Sequence, residues 1–239
     1  MIAVKKLRNL LLVVVHPHRV DGHRGQRRGG HRSPGVEIEP GSVQPALQVT
    51  PLDVTLGQAH LAVTALVGHR VDAVDPAWSP LSRVGGRFAT LAEAPDLDVY
   101  DHLVVSAPLA QMADVLSEVA DRRPRGVVVE IASIKAHLVP ALDRASRAGV
   151  TVSSLHPMFG PGKSPYEPLT FVLACREDAA VERERLEALL RHPYTSVIAM
   201  PFAHHDRLMG WLLGLAHLTG MLFGSALTRS GLDPAELQA

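Results

Sequence analysis

Two periods govern the apolar positions of this chain. Short, β-branched runs stop at acids, glycines or prolines: Val71-Asp-Ala-Val-Asp75-Pro76, Leu103-Val-Val-Ser-Ala-Pro108, Gly126-Val-Val-Val-Glu-Ile131, Gly149-Val-Thr-Val-Ser153, Phe171–Ala174 and Val197–Met200. Each reads as a buried strand. Between them the spacing becomes helical. Leu109, Met112, Val115, Leu116 and Val119 recur three and four residues apart and form one stripe. Residues 136–147 and 178–191 predict two more helices, and Leu61–Val67 is apolar enough for another. Leu10–Val15 predicts a short strand near the N-terminus. Strands alternating with helices over short connections imply an α/β fold: a mostly parallel sheet covered by helices on both faces. From Ala203 the pattern turns wholly helical. Leu208, Trp211, Leu212, Leu215, Leu218, Leu222 and Phe223 form a stripe broad enough to want another domain or another subunit as its partner.

One stretch breaks the pattern. Residues 16–35 read HPHRVDGHRGQRRGGHRSPG, where Val20 is the only large apolar side chain. Such a segment cannot bury enough surface to offset its ordering entropy, so a loop or tail is the plain reading. A basic arm and a His-rich metal patch are the functional alternatives.

Composition narrows the class. Among 239 residues, 24 Lys+Arg balance 24 Asp+Glu, which excludes a globally basic nucleic-acid binder and an acidic tail protein. Cys175 is the single cysteine; it excludes an intrachain disulfide framework and a Cys-based zinc site, and it fits a reducing compartment. No apolar run reaches the ~18 residues of a membrane span. Lys5, Lys6 and Arg8 precede the first apolar run, but His16-Pro-His-Arg follows it where a signal peptide would have small residues. A cytoplasmic protein, with no membrane or nucleic-acid partner, is the expectation.

In a parallel α/β sheet, ligands bind at the carboxyl ends of the strands. Asp75 closes one strand, where a carboxylate can accept the ribose hydroxyls of a dinucleotide or simply cap a turn. Ser106-Ala107-Pro108 closes the next; its small residues would admit a flat ring close to the backbone, or form a plain turn. Ser133 and Lys135 follow the third strand and can present a hydroxyl and an ammonium to one pocket, or serve as an N-cap and a solvated charge. Leu155-His156-Pro157-Met158-Phe159-Gly160-Pro161 is the sharpest motif. Its prolines and glycine constrain the backbone around a histidine, and a rigidly held imidazole suits proton transfer near neutral pH. With 13 histidines in the chain, a structural role in a turn is the alternative. His204, His205 and Asp206 open the terminal helix, and His217 follows His205 by twelve residues. That is not the i,i+4 spacing of a helical zinc pair, so no metal is expected, and substrate hydrogen bonding or a helix cap is the better reading. No GxGxxG phosphate turn occurs.

Taken in order, VDAVDP at 71–76, VVSAP at 104–108, EIASIK at 130–135, LHPMFGP at 155–161 and HHDRLM at 204–209 with His217 beyond it resemble the prephenate dehydrogenase family, including the branch that oxidises 4-amino-4-deoxyprephenate. The resemblance covers roughly residues 66–239. It implies a Rossmann-like dinucleotide-binding domain over 53–201 and the first part of a helical dimerisation domain over 202–239, preceded by an atypical segment, 1–52. It implies NAD(P)-dependent oxidative decarboxylation, with His156 as the catalytic histidine and Ser133 orienting it. Lys135, His205 and His217 would face the substrate. Asp75, Ser106, Ala107 and Pro108 would face the cofactor, with Asp75 favouring NAD over NADP. A homodimer through the helical domain is implied too. This sequence departs from the family in lacking the glycine-rich loop, in carrying Glu130 where an aspartate is usual, and in reaching only the start of the helical domain, before the family's carboxylate-binding arginine. A weakly binding or inactive member of the family is therefore the alternative function. A Rossmann dehydrogenase for 2-hydroxy or 3-hydroxy acids is a further one, against which LHPMFGP speaks.

Overall fold

The β-branched runs become strands close to where their patterns place them. A computed structural model describes residues 11–16, 69–75, 86–94, 96–160, 163–164 and 166–231. The helix expected at Leu61–Val67 and the segment 17–52 lie outside the described residues. The strands are β1 (Leu11–His16), β2 (Arg70–Val74), β3 (Arg87–Phe88), β4 (His102–Ser106), β5 (Val127–Glu130), β6 (Val152–Pro157), β7 (Leu169–Cys175) and β8 (Thr195–Pro201). They form one eight-stranded sheet in the order β3-β2-β1-β4-β5-β6-β7-β8. Helices α1 (Leu109–Asp121), α2 (Val139–Arg147) and α3 (Ala179–Leu190) connect them. After β8 the chain continues as α4 (Phe202–Met209), a π-helical turn (Gly210–Gly214) and α5 (Leu215–Ser230).

Adjacent side chains along the central strands point to opposite faces, so two cores form. Leu103, Val105 and Val128 meet Met112, Val115, Leu116 and Val119 of α1 and Leu142 and Ala145 of α2 on one face. Val104, Val129, Leu155 and Leu173 meet Leu186 and Leu189 of α3 on the other. Helices thus cover both faces, as the alternation implied.

The pairings β2–β3, β4–β5, β5–β6 and β7–β8 are parallel. Two departures from a uniform parallel sheet matter for the site. First, β7 runs antiparallel to β6. A parallel return needs a crossover, usually a helix; the described part of the link between these strands contains none. Second, β1 is antiparallel to both neighbours, with Leu11 opposite Ser106 and His16 opposite Arg70. The carboxyl end of β1 therefore lies at the edge where β2 and β4 begin.

Tight joints fix the strand ends. A Cβ on Gly126 would stand 2.2 Å from the Tyr100 carbonyl oxygen, so only glycine admits β5 beside the turn that precedes β4. Gly149, at φ +81°, ends α2. There the Gly149 and Val150 N–H groups return to the Ser146 and Ala145 carbonyls and turn the chain into β6.

Candidate active site

The carboxyl edge of the parallel strands gathers most of the residues singled out above. Asp75 directly follows β2, and its backbone N–H donates to the Phe88 carbonyl at 2.9 Å. Ser106 ends β4, and Pro108 opens α1, its carbonyl accepting from the N–H groups of Gln111 and Met112. In the first turns of α1, Gln111 Oε1 is enclosed and has no hydrogen-bond partner among the described residues. A buried acceptor left unpaired is costly, and at this edge it suits a ligand that brings a donor.

His156 lies within β6 itself rather than in a turn after it. The motif's prolines suggested a constrained loop; instead the strand extends to Pro157, and His156 pairs in register with Val172. Sheet pairing holds the imidazole. Past the strand, Phe159 packs edge-on against Phe171 with ring centroids 5.1 Å apart. His156 is buried, at 4% exposure.

The first turns of α4 complete this corner. His205 is fully buried and its Nε2 lies 3.0 Å from Nδ1 of His156. His205 Nδ1 lies 2.7 Å from Oδ1 of Asp206. The Asp206 carboxylate also accepts the backbone N–H groups of Lys135, at 2.8 and 3.0 Å, and of Ala136, at 2.6 Å. One carboxylate on α4 thus satisfies the exposed donors of the 3₁₀ turn Ala136–Leu138, which has no side-chain cap of its own. Burial works against the charged form of Asp206, but hydrogen bonds from His205, Ala136 and Lys135 outweigh it and hold this carboxyl below its ordinary value. Burial pushes His205 down from its ordinary value, more strongly than the attached carboxylate pulls it up.

Lys135 does not lie open in a pocket, as the substrate-facing reading supposed. Its side chain is wholly enclosed, and Nζ donates to Glu130 Oε1 at 2.7 Å and to the Leu155 carbonyl at 3.0 Å. Glu130 Oε1 accepts the Ser154 hydroxyl as well, and Oε2 accepts the Ala132 N–H at 2.8 Å. Desolvation lowers the affinity of Lys135 for its proton, against the attraction of Glu130. This cluster pins the loop after β5 to the backbone of β6, one residue before His156. Ser133 lies half-buried in that loop, and among the described residues no hydrogen bond joins it to His156. His217 is exposed on α5, about 18 Å beyond His205 at the helical rise, so the chain alone does not bring the two together. Among the described residues, no group of three His, Cys, Asp or Glu could hold a metal ion.

Sequence reasoning missed the roles of Asp206, Glu130 and Ser154. The adjacent His205-Asp206 pair was visible, but its reach to residues 70 positions earlier is a tertiary fact.

A mostly parallel α/β sheet covered by helices on both faces is a Rossmann-like fold, in which ligands bind at the carboxyl edge. Residues 83–185 match the family model described as "Prephenate dehydrogenase, nucleotide-binding domain". Over that segment the chain is similar to the prephenate dehydrogenase family. A relative from Methanocaldococcus jannaschii, described as "Probable arogenate/prephenate dehydrogenase", is 30% identical over 139 residues, covering 57% of this chain and 31% of that protein. The chain thus spans about a third of the length of this curated relative. Among solved structures, prephenate dehydrogenase from Aquifex aeolicus is similar at TM-score 0.57 and 17% identity, over 74% of this chain and 69% of that one. An imine reductase variant from Myxococcus stipitatus, in complex with NAD+, is similar at TM-score 0.56 and 20% identity, over 72% and 60%. These structural likenesses speak for the fold.

Proposed function

We propose that this chain carries out, or forms part of an enzyme that carries out, oxidative decarboxylation of a prephenate-type cyclohexadiene with a nicotinamide cofactor. The observation that carries the reading is the place of His156: buried at the carboxyl end of β6, held by β7 and His205, inside the segment that matches the family. The dinucleotide would lie along the carboxyl edge, with Asp75 toward the adenosine ribose and Ser106, Ala107 and Pro108 toward the nicotinamide end. Gln111 Oε1 offers a further acceptor there. A carboxylate such as Asp75 accepts ribose hydroxyls and repels a 2′-phosphate, which favours NAD over NADP.

When bound, the cofactor supplies the acceptor for the hydride that leaves C4 of the substrate ring. His156 takes the proton from the C4 hydroxyl as that hydride departs. The electron pair of the bond to the ring carboxylate then completes the aromatic ring, and carbon dioxide leaves. The reading gives Ser133, in the loop after β5, the orientation of substrate or imidazole. Lys135 acts indirectly, by fixing the β6 backbone through Leu155. His205 holds His156, and the reading keeps His217, exposed on α5, for the substrate. A C4 amine fits the same sequence of steps, giving an amino-aromatic product.

Replacing His156 with Asn tests the assignment. Turnover should fall about 10²–10⁴-fold, the usual contribution of a general base, while NAD affinity stays within about twofold. Full turnover in the variant would remove His156 from the mechanism. One observation favours the weakly binding alternative: β1 runs backwards, so its carboxyl end cannot place a phosphate turn at the ligand edge.

A further inference from the structure

Building on the reading of His156 as proton acceptor, we propose that Asp206 is a positioning residue that acts through His205 to fix the tautomer of His156, keeping its proton on Nδ1 and its basic lone pair on Nε2. Three heteroatom contacts in series carry the inference. Asp206 Oδ1 meets His205 Nδ1 at 2.7 Å, and His205 Nε2 meets His156 Nδ1 at 3.0 Å. A carboxylate is only an acceptor, so His205 must donate from Nδ1. A neutral imidazole has one N–H, so Nε2 of His205 can then only accept. The adjoining Nδ1 of His156 must be the donor. The lone pair of His156 is thereby set on Nε2, the nitrogen away from the helix.

The surroundings support each link. Burial keeps His205 neutral, and the hydrogen bonds it receives keep Asp206 ionised. Asp206 cannot turn away from His205 without abandoning the Lys135 and Ala136 N–H groups. Lys135 is itself anchored at its other end by Glu130 and Leu155. The chain of contacts therefore runs from the loop after β5, through α4, to the strand that carries His156. Without it, an imidazole exchanges its proton between two nitrogens, and only one form can accept from a given substrate position.

Asp206→Asn makes the idea sharp. A backbone N–H cannot change from donor to acceptor, but an imidazole can. The Asn oxygen should turn to the two backbone donors and its NH₂ to His205 Nδ1. His205 would then carry its proton on Nε2, and His156 would have to accept on Nδ1 and carry its own proton on Nε2. The same logic explains why amidation of a buried triad aspartate in serine proteases inactivates by imposing the wrong tautomer.

The experiment is two-bond ¹H–¹⁵N correlation of the imidazoles in ¹⁵N-labelled protein, with His156 assigned by loss of its pattern in His156→Gln. In the wild-type chain, His156 and His205 should both show a protonated Nδ1 and a bare-nitrogen shift at Nε2. In Asp206→Asn both patterns should invert, and turnover should fall about 10²–10⁴-fold with the substrate KM within about threefold. A wild-type His156 protonated on Nε2 overturns the proposal whether or not any variant folds. An uninverted pattern in a folded Asp206→Asn does the same. His205→Leu, which removes the link but not the carboxylate, should leave His156 a mixture of both tautomers; a pure Nδ1–H form there would also overturn it. The spectra are read without substrate, so a chain with no turnover but with the expected tautomers would refute the catalytic reading alone.

Discussion

Lys135 and Glu130 show how far a residue's type can mislead about its use. A lysine two residues after a serine at a strand end looks like a ligand for an anion. The folded chain instead encloses it completely against Glu130 and a main-chain carbonyl. Taking two charges out of water is costly, and their attraction repays it only with every remaining valence satisfied. Glu130 meets that condition with three donors: the lysine ammonium, the Ser154 hydroxyl and the Ala132 N–H. Removing one partner strands the other. Lys135→Met should therefore cost about 3–5 kcal/mol of unfolding free energy, and Lys135→Met with Glu130→Gln should recover part of it. Urea unfolding measures both. A single variant as stable as the wild type would show that the pair is not what holds the loop. The single oxygen Oε1 of Glu130 meets both Lys135 and Ser154. None of this was legible beforehand, because strand order and loop path decide which side chain is enclosed.

Most elements were legible, and the exceptions have physical reasons. The strands at β2, β4, β5, β7 and β8 and helices α1, α2 and α3 follow directly from runs and stripes of apolar residues. Strand direction does not. Leu11–Val15 is an unbroken apolar run, and such a run can be buried in either orientation, so nothing in it announced that β1 would run against its neighbours. The short link from β6 to β7 was the one visible hint of an antiparallel pair. The docking of α4 was legible only as a polar start to an apolar helix. It depends on His205 and Asp206, and both respond to acid in the same sense. His205 is depressed below its ordinary 6.5, so its contribution is present above that pH and is lost as pH falls through its folded value. Asp206 is depressed below its ordinary 3.8, so its contribution persists further and is lost as pH falls through its own, lower value. The melting temperature should thus decline as pH is lowered from 6.5, before the carboxylate range is reached. In His205→Gln this first part of the decline should be absent. A wild-type melting temperature that holds level from about pH 7 to about pH 4.5 would contradict a neutral, buried His205.

At the scale of the whole molecule, two halves behave differently. His205 and Met209 seat the start of the last helix against the α/β part, whereas α5 has no buried residue. Trp211, Leu212, Leu215, Leu218, Met221, Leu222 and Phe223 are each more than half exposed. The segment Phe202–Ser230 is apolar and long enough to cross a membrane by length and composition alone, and 6% of its most apolar window is buried. Exposed apolar surface of this extent marks an interaction site. We propose that a second copy of this chain covers it, giving a homodimer. Light scattering of the eluting protein should give the dimer mass, and Leu218→Glu with Leu222→Glu should give the monomer mass with the α/β part still folded. A wild-type monomer would refute the dimer. The functional claim rests on the other half, where the strand-end residues and His156 were readable in sequence and the hydrogen-bonded corner around them was not. Its most direct test is the absorbance of reduced nicotinamide when the purified chain receives NAD with prephenate, or with its 4-amino-4-deoxy analogue. NADH should form with one of the two, and its formation should be lost in His156→Asn. No NADH with either substrate, from a protein shown to be folded and to bind NAD, would contradict it.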